Sequence, residues 1–262
     1  MKAKVNKIEI SYDLFGQNTP ALLLLHGFGL NRTIWYEMVE NYLDNQRVLL
    51  PDLRGHGESE VTTSPYDMPL MAQDVADLLE TLSIDRAIVC GHSMGGYVAL
   101  AFAEKFPDKL SGLGLITTNA AEDSPERRAG RYEQINQIRT SGSLFVADSL
   151  APRLSNKPTV VYQSHEIISR CDPNGLIGAL QGMATREDKT DLLSYISVPA
   201  LVVAGENDQI TDYEASRRMA ASLPNGEFLG MLDTGHMPML ESPKELGFAI
   251  RALIKRVNTE KS

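Results

Sequence analysis

The residues best placed to do chemistry are Gly91-His92-Ser93-Met94-Gly95-Gly96. They directly follow a short apolar run, Ala87-Ile88-Val89-Cys90, and precede an apolar helical pattern over 97–106. A Gly-x-Ser-x-Gly between a strand and a helix is a turn that presents a nucleophile. The turn is so sharp that the serine is forced toward a sparsely populated backbone conformation and its hydroxyl is thrust outward. Side chains two residues before and after the serine would collide with neighbouring backbone, and Gly91 and Gly95 carry none. Gly96 lets the new helix lie close to the strand. The helix start then offers N–H groups and partial positive charge to an oxyanion forming at Ser93.

A serine hydroxyl is a weak nucleophile near neutral pH. It needs a base, usually histidine, and a carboxylate that sets the tautomer of that base. The chain has five histidines: His26, His56, His92, His165 and His236. His92 adjoins Ser93, so its ring points away from the hydroxyl, and it is expected among the pocket residues. His26 and His56 lie in loops before the elbow. His165 sits in a polar stretch of helical spacing, as a solvated helix residue. His236 stands in Asp233-Thr234-Gly235-His236-Met237-Pro238, after a strand-like run. Loops at the C-terminal ends of strands are where active sites of open parallel sheets gather, so His236 is the expected base and Met237 an expected pocket neighbour. The run Leu201-Val202-Val203-Ala204 reads as a strand buried on both faces. It leads into Gly205-Glu206-Asn207-Asp208, where Asp208, further into the loop, is the expected acid. Glu206 suits turn or helix-end contacts, and Asp233 is a third candidate.

An oxyanion needs two aimed donors. The buried run 22–25 ends in His26-Gly27-Phe28-Gly29, a turn that presents the N–H of Phe28 beside that of Met94. Gly27 belongs to the pocket floor, and His26 is expected to hold the loop.

The set of Gly-rich turn, Ser, Asp and His, in that chain order, resembles the α/β-hydrolase fold family over residues 22 to about 118 and 198 to about 257. In that family the acid and then the base follow the serine, which sets aside His26 and His56. Pro51-Asp52-Leu53-Arg54-Gly55-His56-Gly57-Glu58-Ser59 resembles the loop these enzymes carry after their fourth strand. Arg54 and His56 are expected to keep that loop in shape. The resemblance implies a mostly parallel eight-stranded sheet with helices on both faces and a small helical cap inserted after the sixth strand.

The residues agree with that class. Strand-like runs at 7–12, 21–25, 47–50, 87–90, 110–116, 200–204 and 227–231 alternate with helical patterns at 33–43, 68–82, 97–106, 212–222 and 243–257. Such alternation means a sheet covered on both faces. It fails over 119–197, where helix-compatible segments lie at 125–140, 144–154, 159–170 and 173–184. We therefore expect a core of 1–118 and 198–262 and a helical insertion of 119–197. Among insertion residues, Leu144, Phe145, Leu150, Ile177 and Met183 are candidates to face the pocket, Leu144 and Met183 first.

The 262 residues suit one domain with an insertion, and 43% hydrophobic content supplies a core. A net charge of −9 argues against nucleic acid or an anionic membrane as partner. No apolar run reaches membrane-spanning length, and the first residues lack the apolar stretch of a signal peptide. Cys90 and Cys171 give no disulfide framework. A cytoplasmic protein is expected. No metal-ligand spacing and no dinucleotide fingerprint occurs, so the chemistry needs no cofactor.

The expected activity is hydrolysis of a small-molecule carboxylic ester through an acyl-enzyme. Proportions and the segment 182–193 resemble small carboxylesterases and 3-oxoadipate enol-lactonases. A lactonase acting on a dicarboxylate would want cations in its pocket; Arg139, Arg153 and Arg170 are available, though each reads as a solvated residue. A carbon–carbon bond hydrolase uses the same residues. A haloalkane dehalogenase has aspartate where this chain has Ser93, and a proline iminopeptidase usually has a larger insertion. A ligand-binding signalling protein that keeps the constellation and turns over little is the alternative from another class.

Overall fold

In the computed structural model, the described residues are 1–63 and 65–259. Eight strands among them form one sheet: β1 (Lys2–Val5), β2 (Ile8–Phe15), β3 (Asn18–Leu25), β4 (Gln46–Pro51), β5 (Ala87–His92), β6 (Leu110–Ile116), β7 (Ala200–Gly205) and β8 (Gly226–Met231). Their order is β1-β2-β4-β3-β5-β6-β7-β8. β1 and β2 pair antiparallel with their neighbours, and the remaining pairs are parallel. Every residue of β5, β6 and β7 is buried. These strands are largely apolar, Ser111 and His92 apart, because helices cover both of their faces and leave no solvent side. The chain steps from β3 to β4 on one side and then crosses back over β3 to β5 on the other. That reversal opens a crevice at the strand ends. Leu25 is in register with Gly91, so β3 and β5 end level with each other.

The run expected at 7–12 is not one strand from Lys7. Asn6 and Lys7 turn the chain at φ 43° and 68°, and the hairpin β1–β2 pairs Val5 with Ile8. No glycine marks this turn, which is why the sequence conceals it.

The helices are α1 (Tyr36–Tyr42), α2 (Met68–Thr81), α3 (Met94–Lys105), α4 (Pro125–Leu154), α5 (Pro158–Ser169), α6 (Pro173–Ala184), α7 (Tyr213–Ser222), α8 (Pro238–Glu241) and α9 (Pro243–Thr259). The expected helix at 33–43 divides into a 3-10 turn, Arg32–Trp35, and α1. α4, α5 and α6 form the cap between β6 and β7, each opening on a proline. Proline suits the first helical turn, where its missing N–H would have no partner. Gly142 (φ 70°, ψ −166°) breaks α4 into the two segments the sequence suggests. α6 seats the cap on the core by backbone approach. A Cβ at Gly175 would lie 1.9 Å from the Gly55 carbonyl oxygen, and one at Gly182 would lie 1.7 Å from that of Tyr66.

The loop after β4 is held by buried charge. Arg54 makes two bonds to Asp74 of α2, at 2.8 and 2.7 Å. Asp52 accepts the backbone N–H groups of Arg32 and Glu58, both at 2.8 Å, as well as the Arg32 guanidinium. His26 accepts the Leu53 N–H at Nε2 (2.9 Å) and donates from Nδ1 to the Gly27 carbonyl (2.8 Å). His56 donates from Nδ1 to the Arg54 carbonyl at 3.0 Å. These two rings and Arg54 therefore hold loops, as expected from the sequence.

Burial keeps both imidazoles neutral and pushes them from 6.5 down to about 4 for His26 and about 3 for His56. The unfolded chain binds protons that the folded chain refuses. Their contribution to stability is thus full above pH 6.5 and is lost as pH falls toward the folded values. The unfolding free energy is expected to drop below pH 6.5 by up to about 1.4 kcal/mol per pH unit for each ring. Urea unfolding at neutral and mildly acidic pH measures this, and His56→Gln should flatten the slope.

Candidate active site

Ser93 sits where β5 meets α3, with φ 52° and ψ −115°. Such a backbone persists only where its surroundings over-determine it. Here the Ser93 N–H donates to the Ile116 carbonyl (3.0 Å), while the Ser93 carbonyl accepts the Thr118 hydroxyl (2.7 Å) and the Gly96 N–H (2.9 Å). A Cβ at Gly91 would lie 2.1 Å from the Gly95 carbonyl oxygen, and one at Gly95 would lie 2.5 Å from that of Leu25. Only glycine fits at either position. The loop after β3 lies alongside: a Cβ at Gly27 would come within 2.7 Å of His92 Nδ1 and 3.2 Å of Ser93 Cβ. Met94 opens α3 beside it.

His236 and Asp208 come together from the loops after β8 and β7. His236 Nδ1 donates to Asp208 Oδ2 at 2.8 Å, and each side chain is only 1% exposed. Asp208 also accepts the N–H of Ile210 (2.7 Å), the N–H of Thr211 (3.1 Å) and the Thr211 hydroxyl. Burial alone would raise this carboxyl, but the neighbouring imidazole and these donors outweigh it and hold it below its ordinary range. An ionised Asp208 fixes the proton on Nδ1 and leaves His236 Nε2 free to accept. His236 and Ser93 share the wall of one cavity. Glu206 and Asp233, the other candidate acids, are exposed.

The main chain around His236 is clamped from three sides. Its N–H donates to the Leu154 carbonyl at the end of α4 (2.9 Å). Its carbonyl accepts His92 Nε2 (2.9 Å) and the Thr117 hydroxyl (3.0 Å). Burial first, and the nearby His236 ring second, push His92 well below an ordinary histidine, so it serves as a neutral donor. Glu241, in α8, accepts the N–H of Gly235 at one carboxylate oxygen (3.0 Å) and that of Met237 at the other (3.1 Å). Thr117, Leu154, Thr211 and Glu241 were not singled out in the sequence. Thr211 carries the one readable signal, a hydroxyl three residues after the aspartate.

The cavity has a volume of about 420 Å³. Phe28, His92, Leu150 and Met183 line it as expected candidates, with Tyr97 and Ile210 beside them. Leu144 does not: it follows the Gly142 break and lies 54% exposed. Met237 is buried behind His236, and Gly27 lies under His92 and Ser93 rather than on the wall. Phe145 and Ile177 pack against the core instead. Arg139 bonds Asn136 (3.3 Å) and Arg170 pairs with Glu166 (2.7 Å), both exposed, and His165 pairs with Asp148 (2.8 Å) on the cap. Arg153 is exposed, as its solvated reading expects, and also borders the cavity, together with Arg127 and Arg131. Among the described residues no His, Cys, Asp and Glu cluster could hold a metal ion, and no helix is long and apolar enough to cross a membrane.

A serine at a strained strand-to-helix crossing, under a helical cap on a sheet of this order, defines a hydrolase fold. The chain belongs to the alpha/beta hydrolase family, whose sequence profile matches residues 22–247. It is similar in structure to a thermophilic esterase from Thermogutta terrifontis, solved with malate bound, at 38% identity and TM-score 0.93 over 98% of both chains. It is 29% identical to 3-oxoadipate enol-lactonase 2 of Acinetobacter baylyi, over 96% of this chain and 95% of that one. It is 30% identical to the pimeloyl-[acyl-carrier protein] methyl ester esterase of Chromobacterium violaceum, over 92% and 95%.

Glu241→Ala would leave two buried N–H groups beside His236 without an acceptor. The expected cost is about 2–4 kcal/mol of stability, read from the shift of the denaturant midpoint. Glu241→Gln keeps one acceptor and should lose about half as much.

Proposed function

We propose that this chain is a serine esterase acting on carboxylic esters of small molecules. The observation that carries the reading is the buried 2.8 Å bond from His236 to an ionised Asp208, in a cavity that also presents Ser93. His236 Nε2 takes the Ser93 proton as the hydroxyl attacks the acyl carbon. The N–H groups of Phe28 and Met94 hold the oxyanion. The tetrahedral intermediate collapses, and the alcohol leaves with the proton from His236. Water, activated by the same ring, then releases the acid and restores Ser93. Asp208 stays ionised and orients the ring throughout. In this reading 119–197 is the cap and 1–118 with 198–262 the catalytic core.

The same residues open a lactone, where the leaving alcohol stays tethered to the acyl group. This second reading is supported by the three arginines on the cavity wall.

Ser93→Ala, shown folded by circular dichroism, should lose at least about 10³-fold in turnover of a short p-nitrophenyl ester. A fluorophosphonate should label the parent protein at Ser93 and spare the variant. Retained activity, or labelling elsewhere, would remove Ser93 from the role. Very slow hydrolysis across an ester panel with tight retention of one small molecule would point to a binding protein instead.

A further inference from the structure

The cavity wall carries charge that ester cleavage alone does not use. Arg127, Arg131 and Arg153 all line it, and among the described residues no aspartate or glutamate does. This positive wall stands in a chain of net charge −9. One carboxylate stands behind the arginines. Asp123, its side chain wholly buried, takes Arg131 in a two-pronged contact, Arg186 at 2.6 Å and Arg127 at 3.5 Å. Arg186 also stacks on Tyr97, 4.2 Å from the ring centre, and bonds the carbonyls of Met183 and Ala121 at 3.1 and 2.8 Å. Three guanidiniums thus share one carboxylate, and two of them, Arg127 and Arg131, reach the cavity wall.

Arg153 adds a third. No carboxylate among the described residues pairs with it, and its neighbour Leu154 bonds the His236 N–H. It borders the same cavity as Ser93 and His236. Arg127 and Arg131 sit at the start of the same helix, before the Gly142 break. A guanidinium presents a planar fork of donors that matches a carboxylate.

Resting on the esterase reading above, we propose that the cavity selects esters that carry a second, ionised carboxylate. The oxygens of that group take donors of Arg127, Arg131 and Arg153 that no protein carboxylate occupies, while the ester carbonyl lies at Ser93. The substrates are half-esters of dicarboxylic acids, or lactones bearing a free carboxylate. The positive wall also draws such anions toward a protein whose overall charge would repel them.

The test compares monomethyl half-esters of malonate through adipate with neutral methyl esters of matched chain length, followed by acid release. At least one half-ester should exceed its neutral match by about tenfold or more in kcat/KM, mainly through KM, with the preference shrinking as salt rises. Arg153→Gln and Arg127→Gln should each cut that preference about tenfold. Both side chains are partly or largely exposed, and thermal melts confirm that the variants fold. A preference for the neutral ester at every length, or equal losses on both substrates, would overturn the proposal and leave the esterase reading standing. Failure to hydrolyse any ester, with no Ser93 labelling, would end both. Calorimetry of glutarate and adipate with the Ser93→Ala protein gives a readout independent of turnover. Binding weakened by Arg153→Gln supports the proposal, and no binding at millimolar concentration opposes it.

Discussion

The geometry of the site depends on how closely two strand ends are pressed together. β3 and β5 end level, and the start of α3 crosses so near the Leu25 and His26 carbonyls that Gly95 has no room for a side chain. From this one approach the rest follows. The crossing holds Ser93 at positive φ, and the loop carrying Phe28 is brought beside it. It also wedges Gly27 against the His92 ring, which is turned toward the His236 carbonyl. A backbone contact between two strands thereby reaches a loop that lies more than a hundred residues further along the chain.

Polar groups under the cavity are sorted by protonation. His26, His56 and His92 are buried and held neutral; His26 and His92 tie one loop to another, and His56 braces the loop it belongs to. Asp208 is buried and held ionised, because four neighbouring donor groups, His236 among them, outweigh the cost of desolvation. His236 thus stands between a neutral ring that fixes its backbone and a carboxylate that fixes its side chain. On the cavity side the sign reverses, with arginines in place of acids.

Much of this is legible in the sequence, for physical reasons. β5, β6 and β7 read as strands because burial on both faces demands unbroken apolar runs. Ser93 and Asp208 stand out because each follows such a run, and His236 because it follows the half-buried run of β8. What the sequence hides is mostly backbone. The Leu154 carbonyl and the N–H groups beside His236 are features any residue type could supply, so nothing in the letters marks Glu241 as their acceptor. The arginine cluster on the cavity wall is hidden for a related cause. Arg127, Arg131 and Arg153 face the cavity while Arg139 faces solvent, and the break at Gly142 removes the single helical pitch from which a common face could be counted. The same break sends Leu144 outward.

The bond from the His236 N–H to the Leu154 carbonyl joins the insertion to the core at its most sensitive point. Insertions of this kind are commonly pictured as interchangeable modules resting on a fixed scaffold. Here the module supplies an anchor for the imidazole loop, so a transplanted segment would have to end with a carbonyl in the same place. Diversification of this lineage is therefore easier at the first half of α4, ahead of the glycine break, than at the junction where the helix ends.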